Sequence, residues 1–387
     1  MIPYGKQSIS EEDIQSVVDV LRSDFITQGP AVVNFEKSIS DYTGAKYAVA
    51  VCNATAALHL SCLALGVGKG DIAWTSPNTF VASANCALYC GADVDFVDID
   101  EKTYNMSVVK LEEKLIEADK NGRLPKVVIP VHFAGQSCDM KKIHELSQKY
   151  GFKIIEDASH AIGGRYDNQP VGSCRYSDIT VFSFHPVKII TTGEGGMAVT
   201  NDAALYEKIS RLRSHGITRD EKLMIGDSQG PWYYQQIELG YNFRITDIQA
   251  ALGASQMKRL DEFVLRRNQI SAMYGIGFQK KPLLNVPVVS DFAYSAYHLY
   301  VLRIKFQEKE LSRRDFVERL KQKGILTQVH YIPVYQQAYY MERYRFSPEM
   351  FPATEQYYKE AVSIPMYPSM TDDEVQYVTE NIIDSVK

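Results

Sequence analysis

One lysine, Lys188, lies in the stretch 181–196, Val-Phe-Ser-Phe-His-Pro-Val-Lys-Ile-Ile-Thr-Thr-Gly-Glu-Gly-Gly, after an apolar run that ends at Ser183. Flanked by Val187, Ile189 and Ile190, its amine either snorkels to water or stays in a half-buried pocket, where desolvation lowers its pKa and makes it nucleophilic. A second apolar run, 152–155, leads into Glu156-Asp157-Ala158-Ser159-His160. Asp157 and Lys188 then both fall at the carboxyl ends of expected strands, where open α/β sheets bind their ligands. An amine that can form an imine with an aldehyde, paired with a carboxylate that keeps a pyridine nitrogen protonated, suits pyridoxal phosphate, whose ring acts as an electron sink.

The elements that position this pair follow from periodicity. Ser10 with an acid three residues on, then Ile14, Val17, Val18 and Leu21, predicts a capped helix that stops near Ser23. Residues 24–30 read as a loop, and a second helix with Phe35, Ile39 and Tyr42 on one face ends at Gly44. A strand over 46–51 runs into a helix that Asn53 can cap. The free amides there, with the Thr55 hydroxyl, form either a phosphate site or a plain helix start. Strands at 72–75, 94–97, 126–131 and 152–155 alternate with helices, so the sheet is mostly parallel and covered on both faces. Phe80, at a strand-to-helix junction, can stack on a flat ring or pack in the core. After the strand 197–200 and its helix comes a polar, glycine-containing loop, 219–236, and then one long helical pattern from Ile248 to Phe263. Beyond about residue 270 the texture is α+β: a strand at 298–304, a helix at 311–323, a strand at 325–329 and two terminal helices.

Composition narrows the partners. A net charge of -5, with no long basic run, argues against a nucleic-acid surface. No run reaches membrane-spanning length, and the first residues carry no apolar stretch behind a basic one, so a cytoplasmic protein with a small-molecule substrate is expected. The six cysteines contain no Cys-x-x-Cys pair and read as reduced packing residues; no metal site is expected.

Gly29 with Phe35-Glu36, Asn53-Ala54-Thr55-Ala56-Ala57-Leu58, Glu156 to His160, Phe182-Ser183-Phe184-His185-Pro186-Val187-Lys188, Thr192 to Gly196 and Tyr241-Asn242-Phe243-Arg244 together resemble the DegT/DnrJ/EryC1/StrS sugar aminotransferases. That family belongs to the fold-type I pyridoxal phosphate enzymes, and the resemblance spans nearly the whole chain. It implies an aspartate aminotransferase-like α/β fold, with a large cofactor-binding domain over 1–250, including an N-terminal arm, and a small α+β domain over 251–387. By the same resemblance Lys188 bonds the cofactor and Asp157 meets its ring nitrogen. Ala54, Thr55, Ala56, His160 and Ser183 join the cofactor site, with Phe80 stacked on the ring. Asn242 reaches the phosphate from the neighbouring subunit, which implies a homodimer with shared active sites.

Within the family, Ile2-Pro3-Tyr4-Gly5, residues 24–29 and Gln328-Val329-His330-Tyr331-Ile332-Pro333 are similar to enzymes that aminate C4 of UDP-2-acetamido-2,6-dideoxy-β-L-arabino-hex-4-ulose, on the route to pseudaminic acid, with L-glutamate as donor. This implies a sugar-nucleotide pocket of Tyr4, Asp24, Phe25, Ile26, Thr27, Ala54, Ser183, Lys188, Asn242, Gln328, Val329, His330 and Tyr331. Another nucleotide-linked 4-keto sugar is the competing substrate. A non-catalytic relative is disfavoured because Lys188 and Asp157 are both kept. A cysteine-dependent lyase would need a thiol in a mobile loop, and 219–236 has none.

Overall fold

In the computed structural model, which describes residues 1–386, helix α1 (Glu11–Leu21) begins as its spacing predicts. The Asp13 N–H donates to the Ser10 hydroxyl, and the Ser10 N–H donates back to the Asp13 carboxylate, a reciprocal cap that satisfies two otherwise orphaned donors. Helix α2 (Pro30–Thr43) starts on proline and stops at Gly44, whose φ of 77° is the left-handed turn that glycine adopts without strain.

The chain then alternates through β1 (Tyr47–Val51), α3 (Ala54–Ala64), β2 (Ile72–Thr75), α4 (Ala82–Tyr89), β3 (Asp93–Phe96), α5 (Val108–Lys120), β4 (Val127–Ile129), α6 (Met140–Tyr150), β5 (Lys153–Asp157), β6 (Ile179–Ser183) and β7 (Gly196–Thr200). These seven strands form one sheet in the order β1-β7-β6-β5-β4-β2-β3. It is parallel except for β7, which runs against both its neighbours. Every residue of β6 and β7 is buried, as expected of central strands with helices on both faces. Each crossover helix returns the chain to the same end of the sheet, so the carboxyl ends of the parallel strands collect at the other.

Helices α7 (Ala203–Arg213), α8 (Asp247–Met257) and α9 (Leu260–Phe278) lead to a second, three-stranded sheet of β8 (Leu284–Asn285), β9 (Tyr300–Ile304) and β10 (Ala361–Ile364), with α10 (Arg313–Gln322), α11 (Ala338–Arg343), α12 (Pro352–Glu360) and α13 (Asp372–Ser385). Ile270, Tyr274 and Phe278 of α9 share a core with Tyr300, Leu302, Phe316, Leu320, Val378 and Ile382.

Three sequence expectations are corrected. The long helical pattern is two helices, broken at Arg259 (φ -112°, ψ 8°). The break lets the Arg259 guanidinium and the Gln256 amide converge on the buried Asp13 carboxylate. Residues 325–329 form no ladder, because their neighbours change along the run: Ile325 bridges Ile2, whereas Gln328 bridges Ser363. The strand that pairs β9 is instead β10, which lies between the two terminal helices.

The loop before α2 is tied down by a distant acid. Asp247, fully buried, accepts the N–H groups of Gly29 (2.7 Å) and Ala31 (2.8 Å), so it caps a helix that begins 217 residues earlier. A Cβ on Gly29 would come within 2.4 Å of Phe25 Cβ and 2.9 Å of the Asp247 carboxylate. Asp247→Ala leaves these half-buried donors unpaired, at about 1–3 kcal/mol each. A loss of roughly 3 kcal/mol is expected, read as a lower urea midpoint. An unshifted midpoint would mean that water replaces the carboxylate.

Candidate active site

The carboxyl ends of β1, β2, β5 and β6 surround a cavity of about 490 Å³, to which each contributes a polar group: Thr55, Ser83, Asp157 and Ser183. Its wall is completed by Lys188, His160, Phe80, Tyr4, His298, His330 and Tyr331. A groove of about 550 Å³ at the β3 edge, lined by Trp74, Asp95 and Lys114, contains neither Lys188 nor Asp157.

Asp157 is held from two sides. Its Oδ2 accepts the Ser83 hydroxyl (2.6 Å) and its Oδ1 the Ser159 N–H (3.1 Å). Because Ser83 gives its proton to Asp157, it accepts from the Thr79 hydroxyl at 2.7 Å. The backbone of Asp157 is fixed by Pro130 and His132 across β4. Glu156, next in the strand, points to the opposite face, where it accepts from His132 Nε2 (2.7 Å) and Thr180 (2.9 Å). Against the upward pull of burial, His132, Ser177 and Thr180 hold Glu156 below its ordinary value.

Lys188 follows the turn after β6, its N–H donating to His185 O at 2.9 Å. Among the described residues, none forms a hydrogen bond or ion pair with its amine. Burial pushes the amine down to about 8, with Asp157 pulling the other way. Roughly a tenth is then free amine at pH 7, against well under a thousandth for an ordinary lysine.

Helix α3 presents its N-terminus to the same space. Asn53 Oδ1 takes the Ala56 N–H (2.8 Å), which leaves the amides of Ala54 and Thr55 for an anion. The start of β7 passes so close that a Cβ on Gly196 would lie 2.4 Å from Asn53 C, so only glycine fits there.

His160 and His330 are neutral. Burial first, then Lys188 and His330, hold His160 well below its ordinary value, and burial with Lys188 brings His330 down to about 3. His160 Nδ1 accepts the Ala134 N–H (3.3 Å), from a residue held at φ 57°. Its proton therefore sits on Nε2 and is donated to the Tyr331 oxygen at 3.0 Å. Tyr331 keeps its own hydroxyl proton for an acceptor inside the cavity. His330 Nδ1 pairs with the Ser363 hydroxyl at 2.8 Å, so β10 positions the loop that the run 325–329 could not.

Of the residues singled out by sequence, Tyr4, Ala54, Thr55, Phe80, Asp157, His160, Ser183, Lys188, His330 and Tyr331 come together in this cavity. Ala56 lines a neighbouring groove with His59, Tyr241 and Phe243. Asp24, Phe25, Ile26, Thr27, Asn242 and Gln328 are exposed, and Val329 is half-buried; none of these lines the cavity of its own chain. Sequence reasoning missed Ser83 and His298. Ser83, three residues past Phe80 at the start of an expected helix, was the readable one. His298, buried with its ring 4.5 Å from that of His160 and its Nδ1 unpartnered, gave no local signal.

The model of the DegT/DnrJ/EryC1/StrS aminotransferase family matches residues 7–383. The full chain is 42% identical to the spore coat polysaccharide biosynthesis protein SpsC of Bacillus subtilis strain 168, covering 97% of it. It is 37% identical, again over its full length, to a UDP-4-amino-4,6-dideoxy-N-acetyl-β-L-altrosamine transaminase of Campylobacter jejuni, covering 99% of that protein. Among solved structures, Helicobacter pylori PseC, an aminotransferase involved in the biosynthesis of pseudoaminic acid, superposes with a TM-score of 0.90 at 30% identity, covering 100% of this chain and 99% of PseC. Spr1654 from Streptococcus pneumoniae, in its PMP-form, does so at 0.89 and 30%, with coverage of 100% and 99%. Matched from residue 7 to residue 383 and sharing more than a third of its residues with a transaminase of equal length, the chain belongs to the DegT/DnrJ/EryC1/StrS family of sugar aminotransferases.

Proposed function

We propose that this sugar aminotransferase uses pyridoxal phosphate to move the amino group of L-glutamate to C4 of UDP-2-acetamido-2,6-dideoxy-β-L-arabino-hex-4-ulose, the reaction of pseudaminic acid biosynthesis. The observation that carries the chemistry is the uncommitted Lys188 amine in one cavity with a serine-held Asp157. The residues present fit the cofactor. Ala54, Thr55 and Ser183 would hold its phosphate, Asp157 its ring nitrogen and Lys188 its aldehyde carbon, with Phe80 over the ring and His160 beside it. When bound, pyridoxal phosphate supplies an electron sink for the substrate carbon and carries nitrogen between two half-reactions. Lys188 removes and returns the proton at that carbon, and an amine near 8 can do both close to neutral pH. Asp157 would keep a proton on the ring nitrogen, while His160, His298 and His330, each held neutral by burial, offer Lys188 no competing acid.

The substrate assignment is supported by the Campylobacter jejuni transaminase and by the PseC structure. A different nucleotide-linked 4-keto sugar is the competing reading, since the higher identity is to SpsC, whose name gives spore coat polysaccharide biosynthesis rather than pseudaminic acid. Incubation with L-glutamate and a panel of nucleotide-linked 4-keto sugars, following 2-oxoglutarate, separates them. Sustained release with the UDP-linked arabino-hexulose alone supports the proposal; preference for another sugar transfers it to that substrate.

The Tyr331 hydroxyl, turned into the cavity by His160, is assigned to an oxygen of the keto sugar. Tyr331→Phe is expected to slow amination of the sugar about tenfold, the value of one lost hydrogen bond of about 1.4 kcal/mol, while the glutamate half-reaction is nearly unchanged. Equal loss in both halves would remove Tyr331 from the sugar pocket.

The active form is proposed to be a homodimer with shared sites. Asn242 is exposed, Phe25 and Ile26 are each about half exposed, and Lys188 is the one lysine or arginine among the described residues of the cavity wall. A diphosphate therefore needs groups from a second copy. Mixing inactive Lys188→Ala and Asn242→Ala proteins is expected to restore about a quarter of wild-type activity, since half the molecules become hybrids and each hybrid has one intact site. No recovery after verified subunit exchange would contradict shared sites.

A further inference from the structure

His330 and Tyr331 reach the cavity from one loop, and the peptide that joins them is held at both of its polar atoms. Its N–H, from Tyr331, donates to Asn78 Oδ1 at 3.2 Å. Its carbonyl, from His330, accepts the Tyr357 hydroxyl at 2.5 Å. Asn78 and Tyr357 are both buried, and neither lines the cavity. They come from different sheets: Asn78 lies just beyond the carboxyl end of β2, in the large sheet, whereas Tyr357 lies on α12, which leads into β10 of the second sheet. The clasp continues on each side. Next to Asn78, Pro77 O accepts the Val334 N–H at 2.9 Å. The ring of the buried Phe133 stands 5.8 Å from that of Tyr357 and 6.3 Å from that of Tyr331, edge to face with both. The His330 ring has a separate anchor in Ser363. The Tyr331 side chain has one polar contact among the described residues, His160 Nε2 at its far end, so the direction in which it leaves the loop is set by the peptide.

We infer that Asn78 and Tyr357 are positioning residues for amination of the sugar: together they clamp the 330–331 peptide and so aim the Tyr331 hydroxyl, on the reading that this hydroxyl meets an oxygen of the keto sugar. A peptide is a rigid plane between two soft dihedrals. When it loses the bond on one side it can turn about the flanking Cα atoms, and the turn carries the Tyr331 side chain with it. The displacement is largest at the phenolic oxygen, where a shift on the order of 1 Å is enough to slow a reaction. The hydroxyl also bounds the loss. Asn78 and Tyr357 touch nothing in the cavity, so what they can forfeit through Tyr331 is what its hydrogen bond is worth, about tenfold. Neither residue carries charge, so the glutamate half-reaction at Lys188 is left as it is. Because the two bonds come from different sheets, the aim of Tyr331 also registers how the second sheet is seated against the first.

The test takes the holoprotein and whichever panel sugar the wild-type protein aminates fastest, and follows each half-reaction separately in single turnovers. Asn78→Leu is similar in shape and removes the acceptor; Tyr357→Phe removes one oxygen. Each is expected to slow amination of the sugar by about three- to tenfold, while pyridoxamine formation from L-glutamate stays within about twofold of wild type. Combining either with Tyr331→Phe gives a result that a merely structural role would not produce. The double variant is expected to be no slower than Tyr331→Phe alone, because the hydroxyl to be aimed is already gone, whereas independent losses would multiply, to as much as about a hundredfold. Should Asn78→Leu fail to fold, Tyr357→Phe and its double variant decide alone. Multiplying losses, equal loss in both half-reactions, or an unchanged sugar step in Tyr357→Phe would overturn the clamp. Selective loss in Tyr331→Phe with none in Tyr357→Phe removes the clamp and leaves the sugar pocket standing; equal loss in both halves for Tyr331→Phe removes the pocket reading and the clamp with it.

Discussion

Lys188→Ala protein is expected to lose turnover by roughly 10⁴-fold or more, because one amine both bonds the cofactor and moves the proton at the substrate carbon. The loss should be chemical rather than structural. Lys188 is partly exposed and its amine has no partner among the described residues, so the variant should keep its urea midpoint. The same amine sets a pH signature. Only free amine attacks the aldehyde, so the rate at which apoprotein takes up pyridoxal phosphate covalently should rise with pH and level off above about 8, where burial has placed Lys188. An ordinary lysine would keep rising past pH 10. Turnover by Lys188→Ala, or uptake that climbs without a plateau, would show that another lysine does this work.

Asp157→Asn is expected to bind the cofactor and yet lose roughly 10²–10³-fold in both half-reactions, about 3–4 kcal/mol of barrier. An amide cannot hold a proton on the ring nitrogen, although its one oxygen can still accept from the Ser159 N–H while its NH2 turns to the Ser83 oxygen as a donor. Ser83→Ala should cost far less, about tenfold, since Asp157 keeps its charge and its bond to Ser159 and loses one donor. The ratio between the two variants separates charge from positioning. If Ser83→Ala cost as much as Asp157→Asn, orientation rather than charge would be the contribution of the aspartate.

What could be read in the sequence was what is local. Asp157 and Lys188 stand beside strands whose apolar runs are unmistakable, and Ser10, Asn53 and Gly44 sit next to the helices they terminate. What could not be read depends on approach through space. Asp247 caps α2 from across the chain, and nothing near residue 247 announces it. The helical period runs unbroken through residue 259, because the pull of Asp13 on Arg259 is tertiary. The run 325–329 has the composition of a strand, but its two ends meet different partners, Ile2 and Ser363. Ala-Val-Ser-Ile at 361–364 is too short to stand out between helices, yet it completes the second sheet and holds His330. His298 reaches His160 only once both sheets are formed.

The most direct measurement is borohydride reduction of the purified holoprotein, followed by digestion and mapping of the peptide that retains the cofactor. One labelled peptide is expected, with the pyridoxyl group on Lys188, and prior incubation with L-glutamate should abolish the labelling by drawing the cofactor off the lysine. A pyridoxyl group on any other lysine, or no labelled peptide from fully loaded protein, would contradict the assignment of Lys188.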